Sequence, residues 1–210
     1  MGHLRSDVFK QPLLVALSDV SRLTMTVEAW ASSLFRGGVD TIQVREPGIS
    51  LGELEQLTRR IMSVAPAPSF VQINGSPDVA RYLGCGVHFA ERSSVVPDPP
   101  SPSSRSVHSV ESAAISSSFD FVVAGHIFPT PSHPGAPGRG LHWLSDVVAA
   151  SPVPVVAIGG IDAANTGACV RAGAAGIAVI RALCVTPDPL QAAQALRASL
   201  DDEYRILTNS

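Results

Sequence analysis

Short apolar runs alternate with longer amphipathic segments along almost the whole chain. The apolar runs are continuous and partly β-branched, which is typical of parallel strands buried on both faces. They predict strands at Leu13–Leu17, Thr41–Val44, Ser69–Ile73, Val87–Phe89, Arg105–Val107, Phe121–Ala124, Val155–Ile158 and Gly176–Ile180. Apolar residues at three- and four-residue steps favour helices between and after the strands. The predicted helices are Val27–Arg36, Leu51–Val64, Pro77–Leu83, Val110–Ser116, Leu141–Ala149, Ala163–Ala172 and Pro189–Leu200.

Eight βα repeats within 210 residues predict an α/β protein with one domain, a single (β/α)8 TIM barrel over residues 1–210. A doubly wound open sheet is the rival architecture. Such a sheet usually carries a glycine-rich fingerprint after its first strand, where this chain has Ser18, Asp19 and Val20. Residues 1–12 are predicted to form an N-terminal extension ahead of the barrel.

Two segments interrupt the alternation. Residues 93–104 are rich in proline and serine and have no apolar periodicity, so we predict an irregular segment there. Residues 125–140 follow the sixth strand and combine prolines with glycines. Ordinary connections take about 2–6 residues, and a loop this long suggests function. We therefore interpret residues 125–140 as an active-site loop.

Composition narrows the class of protein. Apolar residues make up 45%, charged residues 16%, and the formal net charge is −3. Lysines and arginines do not cluster, which argues against a nucleic-acid partner. No apolar run reaches membrane-spanning length and no signal peptide is evident, so no membrane partner is expected. Cys85, Cys169 and Cys184 are predicted to be core residues in a reducing, cytoplasmic setting. The sequence leaves the choice between monomer and homo-oligomer open.

The carboxyl ends of barrel strands carry the chemistry of this fold, and the loops after strands seven and eight commonly bind phosphate. Gly159 and Gly160 end the seventh strand, and Ile180 and Arg181 end the eighth. Their backbone N–H groups predict a phosphate site, although paired glycines also make ordinary tight turns. Arg45, at the end of the second strand, is the candidate second phosphate ligand or else a structural ion-pair residue.

Histidine is the candidate acid or base because imidazole titrates near neutral pH. His126 ends the sixth strand and is the strongest candidate, although a lone histidine in this position is more often structural. His88 and His108 are weaker candidates that could equally be structural. The strand register leaves open whether His88 points into or out of the barrel. His133 and His142 are predicted at the surface. No local spacing of ligands predicts a metal site.

Several motifs together resemble the thiamin phosphate synthase/TenI superfamily. They occur in the family's order from the second strand to the eighth: Gln43–Glu46, Ile73–Asn74, Gly86–His88, Phe121–Thr130, Val155–Ile161 and Ala172–Val179. The resemblance implies a (β/α)8 barrel that binds a small-molecule thiazole phosphate.

The superfamily includes two activities. A thiamin phosphate synthase joins a pyrimidine pyrophosphate to thiazole phosphate and uses magnesium. This chain departs from the synthase pattern where carboxylates and cations are usual: Pro47 replaces a lysine, Gly75 and Ser76 replace Asp-Arg, Arg92 or Ser93 replaces an acidic residue, and Ser132 and His133 replace Thr-Lys. Magnesium prefers carboxylate ligands. We therefore expect no magnesium site and no other cofactor.

The TenI-type thiazole tautomerase, an isomerase, resembles the chain at Gly125–Phe128 and Ser106–Ser109. That resemblance makes His126 the acid/base and gives His108 or Ser109 the substrate carboxylate. The predicted substrate-binding residues are Arg45, Gln43, Asn74, His108, Ser109 and Thr130, and the predicted phosphate-binding residues are Gly159, Gly160, Ile180 and Arg181. Two alternatives stay open: a synthase with an altered metal site, and a non-catalytic thiazole-phosphate-binding regulatory homologue.

Overall fold

Eight parallel strands close into a barrel in chain order in the computed structural model, which describes residues 12–66, 70–94 and 96–209. Hydrogen bonding between the first and last strands completes the closure. The strands are β1 Leu13–Leu17, β2 Thr41–Val44, β3 Phe70–Asn74, β4 Gly86–Phe89, β5 Ser103–Val107, β6 Phe121–Gly125, β7 Val155–Ile158 and β8 Gly176–Val179. The predicted (β/α)8 barrel is confirmed. Of the predicted extension at residues 1–12, all but Pro12 lies outside the described residues.

Helices connect the strands and cover the outside of the barrel. They are α1 Val27–Arg36, α2 Leu51–Met62, α3 Pro77–Leu83, α4 Val110–Ala114, α5 Gly140–Ala150, α6 Thr166–Arg171, α7 Arg181–Cys184 and α8 Pro189–Thr208. A 3-10 turn at Val20–Arg22 follows β1. Among the described residues, no helix is long and apolar enough to cross a membrane.

The largest differences from the predicted elements have local causes. β5 begins at Ser103, inside the segment predicted to be irregular, because the Ser103 N–H donates to Asp120 Oδ2 at 2.7 Å and fixes the strand's start. α6 begins only at Thr166, because the Asp162 carboxylate accepts from Ala164 and Asn165 and holds a turn there. α7 was not predicted at all, since four residues are too few for a periodic signal.

The inside of the barrel is divided into an apolar half and a polar half. Alternate residues of β6, β7, β8 and β1 form a small apolar cluster of their own: Leu13, Val15, Leu17, Phe121, Val123, Val156 and Ala178. The strands β2 to β5 instead bury polar side chains inside the barrel: Thr41, Gln43, Gln72, His88 and Ser104. The intervening apolar residues of all strands pack under the helices in the larger core. Polar groups buried in one half must find partners there, and this requirement shapes the site described below.

The three cysteines lie in the core and are free, as the sequence predicts. Burial raises the pKa of the Cys85 thiol to about 11 and those of Cys169 and Cys184 to about 12. All three are therefore protonated, unreactive core residues at neutral pH.

Trp30 anchors α1 to the segment after β8, and its replacement tests that contact. The ring is fully buried and its indole N–H donates to the Leu183 carbonyl at 2.9 Å. Trp30→Phe leaves that carbonyl unpaired and a gap beside it, so we expect a loss of about 2–3 kcal/mol in the free energy of unfolding. Urea denaturation measures the loss. Tyr82→Phe is the control, because Tyr82 is 71% exposed; an equal loss in both variants would contradict the anchoring role.

Candidate active site

A cavity of about 700 Å³ opens at the carboxyl ends of the strands, where the sequence places the chemistry. Such a volume lies within the range of small-molecule sites. The structure brings nearly all the predicted site residues to its wall: Gln43, Arg45, Asn74, His108, His126, Thr130, Gly159, Gly160, Ile180 and Arg181. His88, which the sequence left as a weaker candidate, lines it too. We call this the main cavity.

Ser109 is the predicted site residue that the structure does not bring to the main cavity. Its hydroxyl accepts from the Ser112 N–H at 3.1 Å and caps α4. Ser132, His133 and Asp162 do line the cavity but were missing from the predicted set. A signal existed for the first two, since both lie in the loop predicted to be functional.

A chain of hydrogen bonds runs through the polar half of the barrel and has a fixed direction. The Gln72 amide nitrogen donates to the Pro102 carbonyl at 2.8 Å, so its oxygen must face Ser104, which donates to it. The Ser104 oxygen then accepts from His88 Nδ1 at 2.8 Å. His88 Nε2 carries no proton in this tautomer and accepts from the Ser106 hydroxyl at 2.9 Å. Ser106, on the cavity wall, is left with oxygen lone pairs for a ligand.

His88 is held neutral by its surroundings. Burial, with a smaller contribution from the Arg45 charge, lowers the pKa of the imidazole to about 3. The sequence left open whether His88 points inward; it does, and it is 4% exposed. With so low a pKa, the imidazole carries no acidic proton at neutral pH and cannot act as a general acid. We therefore interpret His88 as a positioning residue for Ser106.

Gly159 and Gly160 form a turn that requires glycine for two reasons. Both have positive φ, at 104° and 66°. A Cβ on Gly159 would lie 2.3 Å from His126 Cβ, and one on Gly160 would lie 2.6 Å from the Pro129 carbonyl oxygen. The turn therefore packs tightly on the loop after β6. In the described part of the chain, the N–H groups of Gly160 and Arg181 have no hydrogen-bond partner, and both residues line the main cavity.

The loop over residues 125–140 is closed on itself by backbone hydrogen bonds. Arg139 and Gly140 donate to the carbonyls of His126 and Ile127, at 3.0 and 2.9 Å. The His126 Nε2–H donates to the Pro137 carbonyl at 3.1 Å, and the ring stacks on His133 with centroids 4.5 Å apart. His126 thus joins the two arms of the loop at the cavity mouth, although the sequence placed His133 only at the surface.

The carboxylates at the mouth are already engaged. Glu46 accepts from Ser18 Oγ at 2.6 Å and the Val20 N–H at 3.0 Å, and Glu91 accepts from the His108 N–H at 2.8 Å. Burial opposes ionisation of Asp19, but hydrogen bonds from Ser21 and Arg22 and the charges of Arg22 and Arg45 outweigh it, and the pKa of Asp19 is lowered.

These carboxylates do not make up the donor set of a magnesium site. Magnesium is usually held by carboxylates together with substrate phosphates. Positions 75 and 76 offer a glycine and a serine, and no group of three or more His, Cys, Asp or Glu side chains in the described ranges could hold a metal ion. The expectation of a reaction without magnesium stays a prediction.

Comparisons with known proteins agree on the family. Residues 14–183 match the family model TMP-TENI, described as thiamine monophosphate synthase. A thiamine-phosphate synthase of Anaeromyxobacter dehalogenans is 36% identical over 183 residues, 82% of each chain. One of Mycobacterium bovis is 32% identical over 209 residues, 89% of this chain and 94% of the relative. A solved thiamine phosphate pyrophosphorylase of Pyrococcus furiosus superposes with a TM-score of 0.74 at 29% identity, over 91% of this chain and 96% of that one.

The relatives correct the predicted activity. The two relatives found by sequence are named as synthases, which are transferases, and none of the proteins cited is named as an isomerase. The interpretation of the chain as a TenI-type thiazole tautomerase is therefore wrong. The predicted role of His126 as the proton carrier of an isomerase depended on that interpretation and is withdrawn with it. The synthase that the sequence left as an alternative is the better supported activity.

The neutral state of His88 predicts how stability depends on pH. The unfolded chain binds a proton at His88 near pH 6.5, whereas the folded chain binds it only near pH 3. The stability that the neutral His88 ring contributes is therefore complete above pH 6.5. As pH falls, protonation of the unfolded chain lowers the free energy of unfolding, by about 2 kcal/mol between pH 7 and pH 5. His88→Gln should remove that part of the slope in urea denaturation. His142→Gln, at an exposed site, should keep it, and an unchanged slope in His88→Gln would contradict a buried neutral ring.

Proposed function

The chain belongs to the TMP-TENI family of thiamine monophosphate synthases, and we propose that it is itself a transferase of that kind. It would join a pyrimidine diphosphate to thiazole phosphate, releasing pyrophosphate. One observation carries the proposal within the site: the main cavity combines unpartnered backbone N–H groups on the β7 and β8 side with a hydrogen-bonding wall on the β2 to β5 side. Two substrates of different chemistry need such a divided cavity.

The β7 and β8 side is the proposed phosphate end. Free N–H groups at Gly160 and Arg181 are donors for phosphate oxygens, and the loops after strands seven and eight serve this purpose in many barrels. The glycine turn is held against Pro129 and Phe128, so the donors are fixed before a ligand arrives. Thr130 lies on the same loop and is proposed as a further ligand to the thiazole phosphate.

The opposite wall is the proposed place of the pyrimidine. That wall is lined by Gln43, Asn74 and Ser106. The Ser106 hydroxyl donates its hydrogen bond to His88 Nε2, so its oxygen is left as an acceptor for a ligand. An amino group on a heterocycle would complement that acceptor. His108 stands at the rim, where its N–H and ring both bond Glu91.

The reaction requires positioning and charge neutralisation. The bond between the pyrimidine methylene carbon and the diphosphate oxygen breaks, and both electrons leave with pyrophosphate. The thiazole nitrogen supplies the electron pair of the new C–N bond. Holding the two reactants in line accounts for much of the rate in such reactions, and fixed positive charge at the leaving group accounts for more. Arg45, which has no ion-pair partner among the described residues, is the proposed charge beside the main cavity.

In this reaction His126 has no proton to carry. Its proposed role is to hold the arms of the 125–140 loop together through Pro137 and His133. We further propose that the enzyme needs no cofactor, acts on small molecules alone and works in the cytoplasm; the three buried free thiols support a reducing setting.

A second candidate function is a non-catalytic thiazole-phosphate-binding homologue. The observation in its favour is the glycine and serine at positions 75 and 76, where the synthase pattern has a carboxylate and a cation. That protein would bind the phosphate in the same place and release no product.

One assay distinguishes the two. The purified chain is incubated with the pyrimidine diphosphate and thiazole phosphate, and thiamin phosphate and pyrophosphate are measured by chromatography and mass spectrometry. We expect both products in equal amounts. Binding of thiazole phosphate with no product would replace the transferase by the binding protein.

Arg45→Gln tests the proposed charge within that assay. Loss of one fixed donor to a developing anion should lower kcat/KM by about 10²–10³-fold. Arg36→Gln is the matched control, because Arg36 is exposed in the last turn of α1 at the opposite end of the barrel. Equal rates in the two variants would remove Arg45 from the proposed site.

A further inference from the structure

A second, smaller cavity lies beside the main one, where β1, β2 and β8 end. Its volume is about 270 Å³, below the range typical of drug-sized ligands but sufficient for a small polyanion. We call it the side pocket. It is lined by Ser18, Asp19, Arg22, Arg45, Glu46, Pro47, Pro131, Ser132, Ile180 and Arg181.

Three arginines give the side pocket its character. Arg45 and Arg181 line both cavities, and Arg22 lines the side pocket alone. Arg45 and Arg181 are exposed and have no ion-pair partner in the part of the chain that is described. Guanidinium groups form paired hydrogen bonds to phosphate oxygens and keep their charge at any physiological pH.

The two carboxylates of the side pocket, Asp19 and Glu46, accept hydrogen bonds from protein groups. The Arg22 Nε–H donates to Asp19 Oδ2 at 2.5 Å, and within the described ranges both terminal nitrogens of Arg22 have no other acceptor. Glu46 accepts from Ser18 and Val20, and Ser18 Oγ in turn accepts the Arg45 N–H at 3.0 Å. The same network fixes the backbone of both neighbouring strand ends.

We propose that Arg22, Arg45 and Arg181 form a diphosphate subsite in the side pocket that holds the leaving pyrophosphate without a metal ion. The inference rests on the proposed function and adds where the leaving group goes and what neutralises it. Arg45 and Arg181 stand on the border of the two cavities, so a substrate can extend its diphosphate past them while its ring stays in the main cavity. As the C–O bond breaks, the new negative charge falls on an oxygen beside these two guanidinium groups.

The subsite also explains the mismatch with magnesium. Where the synthase pattern supplies carboxylates for a cation, this chain has Gly75 and Ser76, and the remaining carboxylates at the mouth accept protein hydrogen bonds. A diphosphate with no magnesium still needs its charge neutralised. Fixed guanidinium groups supply that charge directly, with no second ion to recruit.

Pyrophosphate itself is the probe. Calorimetric titration in EDTA should show saturable binding of pyrophosphate to the intact chain. Arg181→Ser and Arg22→Gln should each weaken that binding about 10- to 100-fold, the effect of losing charged hydrogen bonds. Arg36→Ser removes a distant exposed charge and should leave it unchanged. Binding only when magnesium is added, or equal weakening in all three variants, would overturn the subsite.

A second measurement separates this inference from the proposed function. Thiamin phosphate formation is followed in EDTA and in added magnesium. Product in both conditions, with pyrophosphate binding as expected, supports both proposals. Product only with magnesium, together with magnesium-dependent pyrophosphate binding, retains the transferase and rejects the arginine subsite. Arginine-dependent pyrophosphate binding with no product in either condition retains the subsite and rejects the transferase.

Discussion

Closure of the barrel between β1 and β8 is the constraint on which the site depends. Residues Leu13 to Ala16 pair with Gly176 to Val179, so the last strand ends beside the first, and the first beside β2. Arg22 and Arg45 follow the paired strands β1 and β2, and Arg181 lies beside them only because the ring is closed between β8 and β1. An open sheet of the same strands would leave β1 and β8 at separate edges. The charge of the site is thus a consequence of topology and cannot be assigned to any one motif.

The sequence predicted the fold well because its signals are local. β1, β2, β7, α1 and α3 have the predicted bounds, since each is a complete apolar or amphipathic run between turn residues. β5 was predicted less well because Ser103 and Ser104 have no apolar character and are strand residues only through their partners, Asp120 and Gln72. Hydrophobic periodicity cannot predict a polar strand residue whose burial depends on hydrogen-bond partners elsewhere in the chain.

The site was predicted in part for the same reason. Strand ends identify Gln43, Arg45, Asn74, Gly159 and Arg181 as soon as the barrel is assumed, because all strand ends meet at one face. Ser109 follows a strand too, but its side chain satisfies the first N–H groups of α4, a competing use that spacing cannot reveal. The activity was predicted wrongly: relatives that match most of the chain are named as synthases, whereas the prediction rested on a local resemblance that assigned proton transfer to His126. In three dimensions its Nε2–H bonds the Pro137 carbonyl and its ring stacks on His133, contacts made by the folding of a long loop.

The division of the barrel interior gives the site two different kinds of control. On the polar side, one backbone carbonyl at Pro102 fixes the orientation of Gln72, and through Ser104 and His88 it fixes which way Ser106 donates. Every member is neutral, so this wall can select a ligand by hydrogen bonding without repelling or attracting an ion. The positive charge is concentrated at the border of the two cavities, on the arginines that line them. Burial keeps His88 unprotonated, and the nearby positive charge of Arg45 adds to this because it would repel a protonated imidazole. Recognition of the proposed pyrimidine ring and neutralisation of the phosphates are therefore separate in space. Arg45 connects them, because it lines both cavities and its charge also lowers the pKa of His88.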